Sequence, residues 1–358
     1  MRQDIYYWKC DRPTSFHGLR TGAEEQSADL RPALAELLSP RFGDCLELTP
    51  LSNAGNHRTF RLKHRAGLGF VRVEDGPEAD RHLEIETRII EAVGRTGVPV
   101  SKVLFTDASR AKHPFAVQVL DYLGVPSLHS FHLKEGLNLP VIARQIGRSV
   151  AQWQAVPVVD FGHFRHSSDA VLRGTHAGYE TYFTLNLERH LSVLTRHRFL
   201  SKEEAAGVLR EVERCRKLLD LPSPCLVHKD LALWNIMGEQ ESIAAFIDWD
   251  DAIAGDPCDD LSLVACFHSP ETVREVVAGY GEIRELPGDF DARFHLHLLR
   301  NLIVKALIRC EAGYFDLGRD QHFLFAPGQD GAALRQFTRE RFESACRGLA
   351  LGRPYHEL

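Results

Sequence analysis

The chain has 358 residues, of which 44% are hydrophobic and 26% are charged, so it is long enough for about two domains with apolar cores. Its 43 basic and 49 acidic residues leave a net charge of −6, without any long run of Lys or Arg, which argues against nucleic-acid binding. No apolar stretch approaches the roughly 18 residues that a membrane helix requires, and the N-terminus lacks the layout of a signal peptide. The eight cysteines show no regular spacing and are interpreted as reduced thiols. We therefore expect a cytoplasmic protein that is not bound to a membrane.

The first part of the chain combines an extension with a sheet. Residues 1–40 include one helical stretch, Leu30 to Leu38, and are predicted to form an N-terminal extension packed on the first domain. From Leu46 onward, the short runs ELTPLS, HRTFRLKH and GFVRVED predict a β-meander, with residues 66–69 as the turn between the last two. A helix is predicted over residues 78–93, and the runs VSKVLFTD and PFAVQVLDYL predict two further strands.

After Gly124 the pattern becomes mainly helical and is interrupted by one β-hairpin between residues 225 and 250. The clearest predicted helices cover residues 141–154, 178–193, 202–219, 260–268, 294–310 and 333–349. The sequence therefore predicts an α+β fold of two lobes: an antiparallel-sheet lobe over residues 41–123 and a larger, mainly helical lobe over residues 124–358.

Acidic residues are concentrated in the segment that contains this hairpin. Six carboxylates lie between Asp248 and Asp260 in an otherwise apolar sequence. A hairpin centred near residues 241–242 would place Asn235 opposite Asp248, and Asp230 would lie on the loop that enters it. Amide and carboxylate oxygens of this kind suit Mg²⁺, which is usually held by one or two carboxylates together with substrate phosphates.

These three side chains support a mechanism of phosphoryl transfer. In that reaction the protein positions the reactants, and a metal ion neutralises the phosphate charge. We expect Asp230 to act as the base for an incoming hydroxyl, while Asn235 and Asp248 hold Mg²⁺ against the phosphates of ATP or GTP.

The same segment resembles a known group of kinases. The run His228-Lys-Asp230-Leu-Ala-Leu-Trp-Asn235, followed by Ile247-Asp-Trp-Asp250 and Gly255-Asp-Pro257, resembles the H-x-D-x-x-x-x-N and I-D-W-x-x-x-x-x-G-D-P motifs of the aminoglycoside phosphotransferase and choline kinase superfamily. The resemblance extends over most of residues 46–268. It implies a protein-kinase-like fold and a small-molecule kinase that uses ATP or GTP with Mg²⁺.

The resemblance also assigns the nucleotide side of the site. The segment Leu51 to Phe60 is similar to the family's turn over the phosphates, Arg72 stands where the family has its phosphate-reaching Lys or Arg, and residues 118–123 correspond to the hinge. The positions assigned to the nucleotide are Ser52, Asn53, Gly55, Asn56, Arg72, Glu86, Val119 and Asp121. Arginine is not equivalent to lysine here, because its planar fork has a different reach.

The remaining acids and aromatics near the motif have two possible roles. Trp234 and Trp249 could stack on an acceptor or simply pack in the core, and Asp250 and Asp251 could attract a cationic acceptor or form a solvated turn. His228 and Asp256 are interpreted as structural residues of the loop.

Only about a dozen residues separate Asp248 from the next predicted helix, which leaves no room for the long segment on which protein kinases bind a peptide. The acceptor should therefore be small: a sugar, an aminoglycoside-like antibiotic or an amino alcohol. Two alternatives stay open: a non-catalytic nucleotide-binding regulator of the same fold, suggested by the single glycine near Ser52 and by Arg72, and a metal-dependent hydrolase. The sequence does not indicate the nucleotide preference or the oligomeric state.

Overall fold

The computed structural model describes residues 2–12, 29–44, 46–51, 57–76, 79–134, 136–318 and 330–358. None of the helices in these ranges is long and apolar enough to cross a membrane. The seven cysteines in the same ranges are free thiols, as expected from their irregular spacing.

The first lobe is built on a five-stranded antiparallel sheet in the order β1-β2-β3-β5-β4. Its strands are β1 (Glu47–Leu51), β2 (Arg58–His64), β3 (Gly67–Glu74), β4 (Val103–Asp107) and β5 (Ala116–Asp121), with helix α3 (His82–Gly94) between β3 and β4. The predicted meander and the helix after it are confirmed. The turn between β2 and β3 is shorter than predicted, because Gly67 already pairs with His64 in the ladder.

The N-terminal extension divides between the two lobes. Helix α2 (Arg31–Phe42) packs Leu34 and Leu38 on the apolar face of the first sheet, as predicted. The expectation is wrong for the first residues, which include the short helix α1 (Trp8–Asp11). Tyr6 and Tyr7 are buried in the core of the second lobe, because their aromatic rings find an apolar environment there.

The second lobe contains the remaining helices. They are α4 (Leu128–His132), α5 (Leu139–Trp153), α6 (Tyr179–Phe183), α7 (Leu187–Arg196), α8 (Lys202–Arg214), α9 (Cys258–Leu263), α10 (Pro270–Gly281), α11 (Phe290–Glu311) and α12 (Gly331–Leu351). The single helix predicted over residues 178–193 is in fact two, because Asn186 adopts a left-handed conformation with φ of 56°. Helix α11 is buried along most of its length and forms the centre of this lobe.

A second sheet, which the sequence did not predict, lies in the same lobe. Its strands are β6 (Val158–Val159), β7 (Phe161–Phe164), β8 (Leu172–His176), β9 (Cys225–Val227) and β12 (Ile253–Gly255), in the order β6-β8-β7-β12-β9. The predicted hairpin is present as β10 (Ile236–Glu239) and β11 (Ser242–Phe246). Since β9 pairs with β12, the chain between them leaves and re-enters the sheet at neighbouring strands. This pairing fixes both ends of the segment between the two strands, residues 228–252, which carries Asp230, Asn235 and Asp248.

Candidate active site

The loop that carries the H-x-D motif is held by a buried carboxylate of helix α9. Asp260 accepts hydrogen bonds from the backbone N–H groups of His228, at 2.8 Å, and Lys229, at 3.0 Å. The His228 ring is buried, and its Nε2 lies 3.0 Å from the carbonyl oxygen of Ile247. Burial raises the pKa of Asp260 to about 7. These contacts support the prediction that His228 is a structural residue.

Two further aspartates pair with cations beneath this loop. Asp256 lies 2.7 Å from Arg293 Nη2 and also accepts a hydrogen bond from the Cys258 backbone N–H, at 2.8 Å. Asp259 binds the buried ammonium of Lys229 at 2.7 Å. Both carboxylates are fully buried, so they are in contact with protein groups and not with a ligand. This arrangement supports the predicted structural role of Asp256.

Asp230 is surrounded by hydrogen-bond donors. The Asn235 side-chain amide donates to its carbonyl oxygen, at 2.8 Å, and to its Oδ2, at 3.2 Å. Lys305 Nζ donates to Oδ1 at 2.7 Å, and Lys9 Nζ lies 3.3 Å from Oδ2. Although burial opposes ionisation, the two ammonium groups hold the pKa of Asp230 well below its usual range. Asp230 is therefore a fixed carboxylate anion.

The hairpin brings Asn235 and Asp248 to its open end, but with a different register from the predicted one. The backbone N–H of Ile247 donates to the Asn235 carbonyl oxygen at 3.0 Å, so Ile247 and not Asp248 lies opposite Asn235. The turn lies between Glu239 and Ser242, where the sequence has a polar turn, so the hairpin is centred slightly before residues 241–242, and a bulge after Met237 shifts the ladder. Asp248 follows with a left-handed φ of 66°.

Arg72 and Glu86 form a buried ion pair, as the resemblance implied. Arg72 Nη1 donates to Glu86 Oε1 at 2.5 Å, and both side chains are almost completely buried. The other guanidinium nitrogen, Nη2, lies 3.5 Å from Asp248 Oδ1 and 3.9 Å from Asp250 Oδ2. The pair therefore connects the first sheet, through Arg72 on β3, to the acidic segment of the second lobe.

A cavity of about 520 Å³ lies between the lobes and joins these groups. It is lined by Leu51, His57, Phe70, Arg72, Leu120, Asp121, Tyr122, Leu123, Val125, Trp234, Asn235, Asp248 and Asp250, and also by Lys9 and Asp230. Its size and its mixture of apolar walls with a few charged groups are typical of a small-molecule site.

The structure places the predicted nucleotide-binding residues in different environments. Asp121 lines the cavity, in the segment predicted to be the hinge. The side chain of Val119 is fully buried in the core of the first lobe together with Leu34 and Leu38 of α2, so the predicted contact of this hinge residue with the nucleotide would come from its backbone and stays a prediction. Ser52, Asn53, Gly55 and Asn56 lie outside the described residues, although their neighbours Leu51 and His57 line the cavity.

The four predicted acceptor residues do not share one environment. Trp234 lines the cavity, whereas Trp249 is fully buried against Trp153 and His228, with ring centroids 5.3 and 4.4 Å apart. The prediction of an acceptor contact is therefore wrong for Trp249, because its apolar ring is used in the core.

Asp250 and Asp251 are not a solvated turn. Asp250 Oδ2 lies 3.4 Å from His57 Nε2 and 3.9 Å from Arg72 Nη2, so protein groups hold this carboxylate in place. Asp251 is 4% exposed, and burial together with Asp250 raises its pKa to about 7. Asp251 is therefore closed to a cationic acceptor, whereas Asp250 lines the cavity and its contact with an acceptor stays a prediction.

The oxygen donors at the hairpin end fit a hard divalent cation. Burial and the neighbouring Asp250 raise the pKa of Asp248 to about 7, so a cation beside this carboxylate would favour its ionised form. Within the described ranges, no group of three or more His, Cys, Asp or Glu residues could hold a metal ion by itself. Asn235 and Asp248 thus suit Mg²⁺, which binds few protein groups and takes its other ligands from water and phosphates.

Sequence reasoning missed Lys9, Lys305 and His57. Lys305 carries a usable signal, because it is a charged residue within the apolar run LIVKALI of helix α11. Lys9 carries no such signal, since no local pattern indicates that the first residues of the chain reach a site formed by residues 230–250.

Comparison with solved structures places this fold among kinase-like enzymes. An aminoglycoside phosphotransferase APH(4)-Ia mutant in ternary complex with ADP and hygromycin B aligns with a TM-score of 0.58 and 16% identity, over 88% of this chain and 98% of that one. A protein from Thermobifida fusca assigned as a fructosamine-3-kinase aligns with a TM-score of 0.60 and 19% identity, over 88% and 99%. Spectinomycin phosphotransferase APH(9)-Ia, in complex with ADP and spectinomycin, aligns with a TM-score of 0.55 and 16% identity, over 91% of this chain and 98% of that one. The predicted two-lobed α+β fold is confirmed.

Comparison of sequences gives the family. No curated protein sequence matches the chain significantly. The model of the APH phosphotransferase enzyme family matches residues 47–295. This range includes the first sheet, most of the second lobe and the six carboxylates between Asp248 and Asp260. The chain therefore belongs to the phosphotransferase enzyme family and is a phosphotransferase that acts on hydroxyl groups of small molecules.

Proposed function

We propose that the protein transfers the γ-phosphoryl group of ATP or GTP to a hydroxyl of a small acceptor: a sugar, an aminoglycoside-like antibiotic or an amino alcohol. The observation that carries the proposal is the convergence of Asp230, Asn235, Asp248 and the Arg72–Glu86 pair on one cavity between the lobes. These groups come from strand β3, helix α3, the loop after strand β9 and the end of the hairpin. The solved relatives bound to hygromycin B or spectinomycin support an acceptor of this size.

Asp230 is proposed to receive the acceptor hydroxyl. A carboxylate whose pKa is held so low is a weak proton acceptor, so its main contribution is to align the hydroxyl oxygen for attack. Phosphoryl transfer has a loose transition state and requires little help from a base before the new bond has formed. The Asn235 amide keeps the carboxylate in this orientation through its contact with Oδ2.

The nucleotide phosphates are proposed to lie in the cavity beside Arg72 and the hairpin end. Glu86 fixes the guanidinium, and Asp248 with the Asn235 side-chain oxygen would hold Mg²⁺. When bound, Mg²⁺ neutralises charge on the phosphates. Residues 120–123 would contact the base of the nucleotide, since they line the same cavity.

Asp248→Asn tests this proposal, because it removes the anionic metal ligand with little change in size. Calorimetric titration of ATP and GTP with and without Mg²⁺ should show tighter binding with the metal for the unchanged protein. In the variant, the ratio of the nucleotide affinities with and without Mg²⁺ should be smaller by at least about tenfold. Asp169→Asn, at a side chain that is 55% exposed, is the matched control and should behave as the unchanged protein. Equal Mg²⁺ dependence in all three proteins would refute the metal-binding role of Asp248.

A further inference from the structure

The N-terminal segment, defined here as residues 2–12, is firmly anchored in the second lobe. The Tyr6 ring stacks on Tyr182 with centroids 4.9 Å apart, and the Tyr182 hydroxyl donates to the Tyr6 carbonyl oxygen at 2.8 Å. The Arg300 guanidinium carbon lies 3.5 Å from the centroid of the Tyr6 ring. Asp11 Oδ2 accepts the backbone N–H of Tyr6 at 2.7 Å, which closes the turn that leads into helix α1.

Contacts at both ends of the segment fix its path across the molecule. Near its start, Arg2 Nε donates to Asp80 Oδ2 at 2.6 Å, before helix α3 of the first lobe. Near its end, Asp11 Oδ1 lies 2.8 Å from His190 Nε2, on helix α7 of the second lobe. Lys9 lies between these two anchors, so its backbone position is determined by groups outside the cavity.

The two lysines at Asp230 have different surroundings. Lys305 Nζ binds Asp230 Oδ1 at 2.7 Å and the Tyr7 hydroxyl at 3.1 Å, and its side chain is 9% exposed. Lys9 Nζ lies at a longer distance, 3.3 Å, from Oδ2, is 22% exposed and lines the cavity together with Arg72 and Asp248. Lys305 therefore holds the carboxylate, whereas Lys9 presents its ammonium to the space where the phosphates would lie.

Two ammonium groups contact the single carboxylate of Asp230. One ammonium is sufficient to neutralise the Asp230 carboxylate, and Lys305 provides it at the shorter distance. An ammonium group has three donors, so Lys9 can keep its contact with Oδ2 and donate to a second anion. During the reaction, the anion next to Asp230 is the transferred phosphoryl group, whose charge is spread over three oxygens.

On this basis, and resting on the proposed function, we propose that Lys9 is a catalytic residue that binds the transferred phosphoryl group. In that step the acceptor oxygen forms a bond to the γ-phosphorus, and the bond from this phosphorus to the β–γ bridging oxygen breaks. The hydroxyl proton passes to Asp230, and the nucleoside diphosphate leaves. Lys9 keeps its proton throughout: although burial opposes its charge, the carboxylates of Asp230 and Asp251 raise its pKa above the usual value.

The experiment compares a triphosphate with a diphosphate, because only the former has the group that Lys9 would contact. The affinities of AMP-PNP and ADP, and of the guanine pair, are measured by calorimetry with Mg²⁺ for the unchanged protein, Lys9→Met and Lys9→Arg. Lys63→Met, at a lysine whose side chain is 68% exposed, is the matched control. Lys9→Met should weaken AMP-PNP binding by roughly tenfold or more and ADP binding by less than about twofold.

Lys9→Arg keeps the charge and should retain most of the preference for the triphosphate, and it can be measured even if Lys9→Met folds poorly. Equal losses for both nucleotides, or no loss for either, in Lys9→Met would overturn the role of Lys9 and leave the proposed function intact. Failure of the unchanged protein to bind any of the four nucleotides would instead overturn the proposed function, and the role of Lys9 with it.

Discussion

The buried Arg72–Glu86 pair offers the sharpest energetic prediction. Glu86→Gln keeps the size of the side chain and removes its charge, so the buried guanidinium loses the partner that lies 2.5 Å away. Removing one member of a buried ion pair typically costs about 3–5 kcal/mol. Because Asp248 and Asp250 lie 3.5 and 3.9 Å from the same guanidinium, we expect a loss at the lower end, about 3 kcal/mol. Urea unfolding at pH 7, followed by circular dichroism, measures this free energy of unfolding.

A double-mutant cycle separates the pair from its surroundings. We expect Arg72→Met and Glu86→Gln to be strongly coupled, so that the double variant is less destabilised than the sum of the single variants. The exposed pair Lys63–Glu47, at 3.1 Å, is the matched control, and its coupling should stay below about 1 kcal/mol. A loss of less than about 1 kcal/mol in Glu86→Gln, with no coupling to Arg72, would refute the assignment of a buried, charged pair.

Two further predictions concern packing and pH. A Cβ at Gly147 would lie 1.9 Å from the Val276 carbonyl oxygen, so Gly147→Ala should destabilise the protein by about 3 kcal/mol or more in urea unfolding. Gly207→Ala is the control and should not destabilise the protein, because the nearest atom would lie 3.8 Å from its Cβ. Burial lowers the pKa of His163 to about 3, so the unfolded chain binds its proton first, and this histidine lowers stability as the pH falls below about 6.5. From pH 7 to pH 5, the free energy of unfolding of the unchanged protein should therefore fall by about 2 kcal/mol more than that of His163→Phe. Parallel pH curves, or a tolerated Gly147→Ala, would contradict these explanations.

The features that could be predicted from the sequence are encoded over short distances. The alternating runs of the first sheet and the spacing between Asp230 and Asn235 lie within one or two neighbouring elements. A hairpin brings Asn235 near Asp248 even when its register is wrong by one residue, because both lie at the open end. Local pattern was therefore sufficient for the fold class and for the centre of the candidate site.

The features that could not be predicted depend on contacts between distant segments. The strands of the second sheet are two to five residues long and too short to show a pattern of their own. Trp249 is buried in the core whereas Trp234 lines the cavity, a difference that composition does not reveal. Lys9 reaches Asp230 across 221 residues of sequence, through a segment that tertiary contacts alone hold in place.

The most direct test of the central claim measures the release of ADP or GDP with Mg²⁺ by the unchanged protein and by Asp230→Asn. The acceptors are offered in four pools: aminoglycosides, sugars and amino sugars, amino alcohols, and nucleosides. The account predicts turnover in at least one of the first three pools and a loss of roughly 10²-fold or more in the variant, while Asp169→Asn is unaffected. Asp230→Asn with full turnover on an acceptor that the unchanged protein phosphorylates would contradict the assignment of Asp230. Nucleotide binding without product release in any pool would favour a non-catalytic nucleotide-binding protein instead.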